Sequence, residues 1–266
     1  MRFDGKAGLV TGAGSGIGRA TALEFARRGA AVAVVDVNGA GAQSVAKEIT
    51  ALGGRAISIP ADITVKADID GMLEAAQRAF GRLDFLHNNA FGLPASFAEK
   101  RVTSRASGIL DEVWDYTIDV ALSAVFRTIR RALPVMKAQG GGAIVNTASI
   151  SGQFGDIGLA PYNAAKGGLI NLTRTVAIEY GQFNIRCNCV CPGAIETPAL
   201  APVLEMPGTR DAFNRAIPMG RLGRPQEIAN VVVFLASDLA SFVNGAAFVA
   251  DGGQTAKTGS PSFVAE

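Results

Sequence analysis

The sequence predicts an α/β fold built on a parallel sheet, on three observations. Apolar, strand-like runs alternate with amphipathic, helix-like stretches along most of the chain, the pattern a parallel sheet requires. The first run, Ala7–Thr11, leads directly into Gly12-Ala-Gly-Ser-Gly-Ile-Gly18 at the start of a helix. The second run, Ala31–Val35, ends at Asp36. Right-handed crossovers then wind helices onto both faces, so the sheet is expected to be doubly wound. No internal repeat, low-complexity tract or linker divides the 266 residues, so one domain is expected over 1–266.

Each element follows from local chemistry. Glycines between Gly12 and Gly18 let the backbone approach a pyrophosphate, and the N–H groups of the helix running to Arg28 point at it. The spacing Gly12-x3-Gly16-x-Gly18 is not the general G-x-G-x-x-G, and the Lys-Ser/Thr ending of a triphosphate loop is missing. A dinucleotide is therefore favoured over ATP, with a turn serving only tight packing as the alternative. Asp36 stands where an acidic side chain reaches the adenosine ribose. A 2′-phosphate beside it would face a like-charge cost of about 4 kcal/mol, and the neighbours Ser15 and Val37 supply no cation. That prefers NAD to NADP, unless Asp36 is an ordinary strand-end aspartate.

The alternation continues with a helix over Gly39–Leu52, a strand over Arg55–Ile59, a helix over Lys66–Phe80 and a strand over Leu83–His87. Asp62, after the third strand, can bond an adenine or cap a helix. His87, the only histidine, has no visible partner and reads as a packed strand residue. Residues 91–108 lack periodicity and leave the carboxyl end of a strand, where open α/β sheets bind ligands; they are expected to form a substrate wall. A long helix over Asp111–Ala138 precedes the strand that runs towards Ser149. A strand over Ile185–Val190 leads into Cys191-Pro192-Gly193-Ala-Ile195-Glu-Thr197. The segment 199–219, rich in Leu, Met and Pro, has weak helical patterning and suits a lid. Pro225 opens a further helix, a last strand lies near Ala247–Val249, and 254–266 reads as a tail, loose from Gly259.

Composition excludes several classes. The net charge is +2 and hydrophobic residues make up 48%; the cations are scattered, which gives no case for nucleic acid or an anionic membrane. Arg127, Arg130 and Arg131 cluster, as a solvated or subunit-facing helix side would. The chain opens Met1-Arg2-Phe3-Asp4-Gly5-Lys6 without the pattern of a secretory leader, and no apolar run reaches the roughly 18 residues of a membrane span. A cytoplasmic protein is expected. Cys187, Cys189 and Cys191 alternate on one strand, so they share a face and read as core thiols rather than bridges or a metal site. No metal is expected.

Tyr162 and Lys166 are four residues apart on the helix after Ser149, which puts phenol and ammonium on one face. An ammonium about 4 Å away favours a phenolate by roughly 4 kcal/mol, or about three pKa units. Such a tyrosine could pass protons near neutral pH; an ordinary helix surface is the alternative.

Together, Thr11-Gly-Ala-Gly-Ser-Gly-Ile-Gly18, Asn88-Asn89-Ala90, Ser149, Tyr162-x3-Lys166, Pro192-Gly193 and Asp251-Gly252-Gly253 resemble the short-chain dehydrogenase/reductase family over about Gly5–Gly253. The resemblance implies a Rossmann fold with a seven-stranded parallel sheet, usually assembled as a homotetramer or homodimer. It implies Tyr162 as acid/base, Lys166 as the group that lowers its pKa and holds the nicotinamide ribose, and Ser149 as the ligand of the substrate oxygen. The cofactor site would be Gly12, Ser15, Gly16, Ile17, Gly18, Asp36, Asp62, Ile63, Asn89, Tyr162, Lys166, Pro192, Gly193, Ile195 and Thr197. The expected reaction moves hydride between NAD(H) and a secondary alcohol or its ketone, with a small apolar substrate suggested by the loop and lid. An NADPH-dependent carbonyl reductase and a catalytically impaired NAD-binding regulator are the alternatives. Two positions depart from the family: Ala121 replaces its usual asparagine, which anchors a proton-relay water, and Phe91 replaces its usual glycine.

Overall fold

The computed structural model describes residues 1–92 and 104–258. Seven strands form one parallel sheet: β1 Ala7–Thr11, β2 Ala31–Asp36, β3 Arg55–Pro60, β4 Phe85–Asn88, β5 Gly142–Thr147, β6 Ile185–Pro192 and β7 Ala247–Ala250. Their order is β3-β2-β1-β4-β5-β6-β7. The order reverses between β1 and β4, and there the carboxyl ends of the strands diverge to leave a crevice.

Helices cover both faces because the inner strands are apolar on both sides. On one face lie α1 Gly16–Arg27, α2 Gly39–Ala51 and α9 Pro225–Ala236. Leu23, Phe25, Val45, Ile49, Val232 and Leu235 pack there against Val10, Val32, Val34, Phe85 and Val145. On the other lie α3 Lys66–Phe80, α4 Asp111–Ile118, α5 Ala124–Ala138 and α6 Ala160–Tyr180. Ile69, Met72, Ile129, Met136 and Leu169 cover Leu9, Leu86, Ile144 and Cys189. Short helices α7 Ala201–Leu204 and α8 Thr209–Ala216 stand outside these layers.

The expected elements are present, with instructive differences. The long helix over Asp111–Ala138 is interrupted by a π-helical turn at Asp119–Ser123, which accommodates one extra residue per turn. Ala121 sits in that turn, fully buried. Strand β6 runs on to Pro192; proline is tolerated there because it ends the strand. Part of the expected tail is ordered: Gln254–Ala256 forms a 3₁₀ turn, and Thr255 donates N–H and O–H to Asp251 Oδ2, both at 2.7 Å. The remainder, 259–266, and most of the expected substrate wall, 93–103, lie outside the described residues. All three cysteines are buried and unbridged. Among the described residues no helix is long and apolar enough to cross a membrane, and no cluster of His, Cys, Asp and Glu could hold a metal ion.

Candidate active site

A cleft of about 520 Å³ opens at the reversal point, lined by residues of the glycine turn, the ends of β2, β3 and β4, and α6. At one end the turn after β1 is held by close backbone contacts. A Cβ on Gly18 would lie 2.1 Å from the Gly12 carbonyl oxygen, so only glycine lets α1 begin this near the strand. Asn89 locks the neighbouring strand to the same turn: its Nδ2 donates to the carbonyls of Thr11 and Gly12 at 3.1 and 3.3 Å. Thr11 Oγ1 in turn accepts from the Asn89 and Ala90 N–H groups.

Asp36 is fixed before any ligand arrives. Its Oδ2 accepts from Gly14 N–H and its Oδ1 from Asn38 N–H, both at 2.8 Å. Among the described residues lining the cleft, Lys166 is the only cation. Asp62 accepts from Thr64 N–H and Oγ1–H at 2.8 and 2.7 Å, so it caps a turn rather than α3, whose N-cap is Val65; it also lines the cleft.

Tyr162 and Lys166 line the opposite end, on the first turns of α6. Proline at an early position suits that start, since its missing N–H would have no helical partner. Lys166 is 3% exposed, and its Nζ donates to the Thr147 carbonyl at 2.7 Å. Burial pulls its pKa down to about 8.

The expected depression of Tyr162 by this ammonium is not found. Desolvation by burial is the largest influence and pushes the phenol up, with hydrogen bonding to Ser149 acting against it and Asp156 reinforcing it. Lys166 Nζ stands 5.6 Å from the Tyr162 ring centroid and spends a proton on Thr147. Burial therefore outweighs the helical spacing. Phe91 lies against both groups, 5.0 Å from the Tyr162 ring and 5.5 Å from Lys166 Nζ.

Gly12, Ser15, Gly16, Ile17, Asp36, Asp62, Ile63, Asn89, Tyr162, Lys166 and Thr197 all line the cleft. Gly18, Ser149, Pro192, Gly193 and Ile195 are not among the residues that line this cleft. Ser149 contacts Tyr162, Gly193 N–H donates to the Ala250 carbonyl at 3.1 Å, and Ile195 bridges to Gly223. His87 is buried as expected, but its Nε2 pairs with Thr147 Oγ1 at 2.8 Å. Thr147, Ser151 and Asp156 belong to no motif read from the sequence; only the proximity of Ser151 to Ser149 could have drawn attention to them.

A family model described as enoyl-(acyl carrier protein) reductase matches residues 12–255. The chain belongs to the short-chain dehydrogenase/reductase family. It is 44% identical over 256 residues to cyclohexanol dehydrogenase of Acinetobacter sp. (strain SE19), covering 96% of this chain and 97% of that one. It is 40% identical to cis-4-hydroxycyclohexanecarboxylate dehydrogenase of Sinomonas cyclohexanicum, covering 96% and 98%. A solved 7α-hydroxysteroid dehydrogenase, complexed with NADH and 7-oxo glycochenodeoxycholic acid, superposes with a TM-score of 0.88 at 34% identity and covers 95% of each chain. As a family member the protein is an oxidoreductase acting on CH–OH groups, transferring hydride between an alcohol and a ketone with a nicotinamide cofactor.

Proposed function

We propose that the protein is an NAD-dependent dehydrogenase of small, apolar secondary alcohols, with cyclic alcohols the preferred class. The observation that carries the reading is the single cleft joining the glycine turn and Asp36 to Tyr162 and Lys166. The residues fit a dinucleotide: Gly12–Gly18 would receive the pyrophosphate, Asp36 the adenosine ribose, and Asp62 and Ile63 the adenine side. Asn89 would brace the turn. Lys166 would hold the nicotinamide ribose, and Pro192, Gly193, Ile195 and Thr197 the nicotinamide end. When bound, the nicotinamide supplies the hydride acceptor or donor.

Ser149 would hold the substrate oxygen and Tyr162 would exchange its proton. Because burial raises the phenol, Tyr162 is a proton donor near neutral pH and a base only as pH rises. Alcohol oxidation should therefore accelerate towards alkaline pH. The cyclic substrate class rests on the names of the two dehydrogenase relatives. Helices α7 and α8 would form the lid over it.

NAD is preferred because Asp36 is fixed by two N–H groups and the only cation among the described lining residues, Lys166, stands at the opposite end of the cleft. The unbridged thiols suit a reducing cytoplasm. Exposed apolar side chains on α4, α5 and β7 support a homotetramer or homodimer.

Turnover of a secondary-alcohol panel, followed by NADH absorbance, tests the reading. Tyr162→Phe is expected to lower the rate by about 10²–10⁴-fold. Faster turnover with NADP would overturn the cofactor choice. Activity that survives Tyr162→Phe would remove the acid/base role.

A further inference from the structure

A line of hydrogen-bonded side chains leaves Tyr162 and ends at solvent. The phenol bonds to Ser149, whose hydroxyl donates to Ser151 Oγ at 3.1 Å. The Ser151 hydroxyl donates in turn to Asp156 Oδ2. Ser149 and Ser151 are 7% and 8% exposed, whereas Asp156 is exposed. The line thus runs from the cleft through buried hydroxyls to an exposed carboxylate, and the Ser149 and Ser151 hydroxyls both donate outward.

Local structure holds it in place. Ile150–Gly152 forms a 3₁₀ turn capped by Ser149, and Ser151 N–H donates to Ser149 Oγ at 3.1 Å. Asn163 Nδ2, one residue beyond Tyr162, donates to the Asp156 carbonyl at 2.9 Å. The loop that carries the carboxylate is therefore tied to the helix that carries the phenol. Elsewhere, the fully buried methyl of Ala121 can neither donate nor accept a hydrogen bond, so it cannot serve as the water anchor that the family resemblance implies at this position.

We propose that Ser151 and Asp156 form a proton relay that connects Tyr162, through Ser149, to bulk water. The relay rests on the acid/base reading of Tyr162 given above. Oxidation converts alcohol and NAD⁺ into ketone, NADH and one proton. With Tyr162 deprotonated, the alcohol O–H proton passes to the phenolate oxygen while the carbon gives its hydride to NAD⁺. Ser149 Oγ then accepts a proton from Tyr162 and gives its own to Ser151, which gives its own to the Asp156 carboxylate. Asp156 releases it to water and the hydroxyls rotate back; ketone reduction runs the same transfers inward. Ser151 and Asp156 touch neither substrate nor cofactor in this scheme.

Single-turnover oxidation of cyclohexanol with NAD, with NADH absorbance and a pH indicator read together, tests the relay. In wild type, proton release should keep pace with NADH. In Asp156→Asn, which keeps a hydrogen-bond acceptor but cannot take a proton, release should lag by about tenfold or more. Added formate buffer should restore it, as should Asp156→Glu. Ser151→Ala should show the same lag with an unchanged melting temperature. Release as fast as wild type in both Asp156→Asn and Ser151→Ala overturns the relay. So does a slow release that neither buffer nor glutamate restores, because that pattern marks a structural role. A wild-type protein giving no NADH from cyclohexanol or any other secondary alcohol would instead remove the catalytic reading, and the relay with it.

Discussion

At the residue scale, burial decides more than spacing does. His87 is 1% exposed, bonds Thr147 Oγ1 through Nε2, and has no partner for Nδ1 among the described residues. Desolvation lowers its pKa from 6.5 to about 3. Above pH 6.5 the ring is neutral in both folded and unfolded chains and the shift has no effect. As pH falls from 6.5 towards 3, the unfolded chain takes up a proton that the folded one refuses, so stability is lost, by about 2 kcal/mol at pH 5. His87→Gln, which keeps a polar partner for Thr147 without titrating, should flatten that loss. Urea unfolding at pH 7 and pH 5 measures it, and an unchanged pH dependence would show that His87 is not the source. Asp36, Tyr162 and Lys166 were legible in the sequence from a strand end and a helical spacing, and Ser149 from the family resemblance. The raised phenol and the Lys166–Thr147 bond were not, since both depend on what three separate elements bring around the side chains.

At the element scale, strands and helices were legible wherever apolar period and glycine or proline punctuation agreed. The exception is the π turn at Asp119–Ser123: Val-Ala-Leu-Ser offers no glycine or proline to mark it, and turns of this kind gather at functional sites. Ala121 lies in it, within the core shared by Leu86, Val120 and Leu169. Ala121→Asn would place an amide there and restore the water anchor that the family resemblance implies. Its added volume should cost about 1–3 kcal/mol of stability, while the rate of alcohol oxidation and its pH profile should both change. A variant matching wild type in rate and profile would show that position 121 has no part in proton transfer.

At the scale of the whole molecule, the π turn also shapes the surface. Trp114 and Phe126 are 42% and 45% exposed. Twelve positions apart on an unbroken helix, they would diverge by about 120°. One extra residue in the π turn cuts that to about 20°, so both rings stand on one side of the α4–α5 rod. A second apolar surface lies at the sheet edge, where among the described residues β7 pairs only with β6. Its adjacent residues Phe248 and Val249 are 41% and 37% exposed although neighbours on a strand point to opposite faces, so among the described residues both faces of this edge are only partly covered, Phe248 by the Phe234 ring. Unprotected edges invite pairing with another copy. Each two-fold contact alone gives a dimer, and two different ones give a tetramer. Phe126→Lys and Phe248→Lys should therefore each reduce a tetramer to a dimer, and the double variant should be a monomer, with folding checked by circular dichroism. Light scattering coupled to size exclusion reads all four masses. A wild-type monomer would sink the assembly, while a dimer broken by only one of the substitutions would identify which surface forms it.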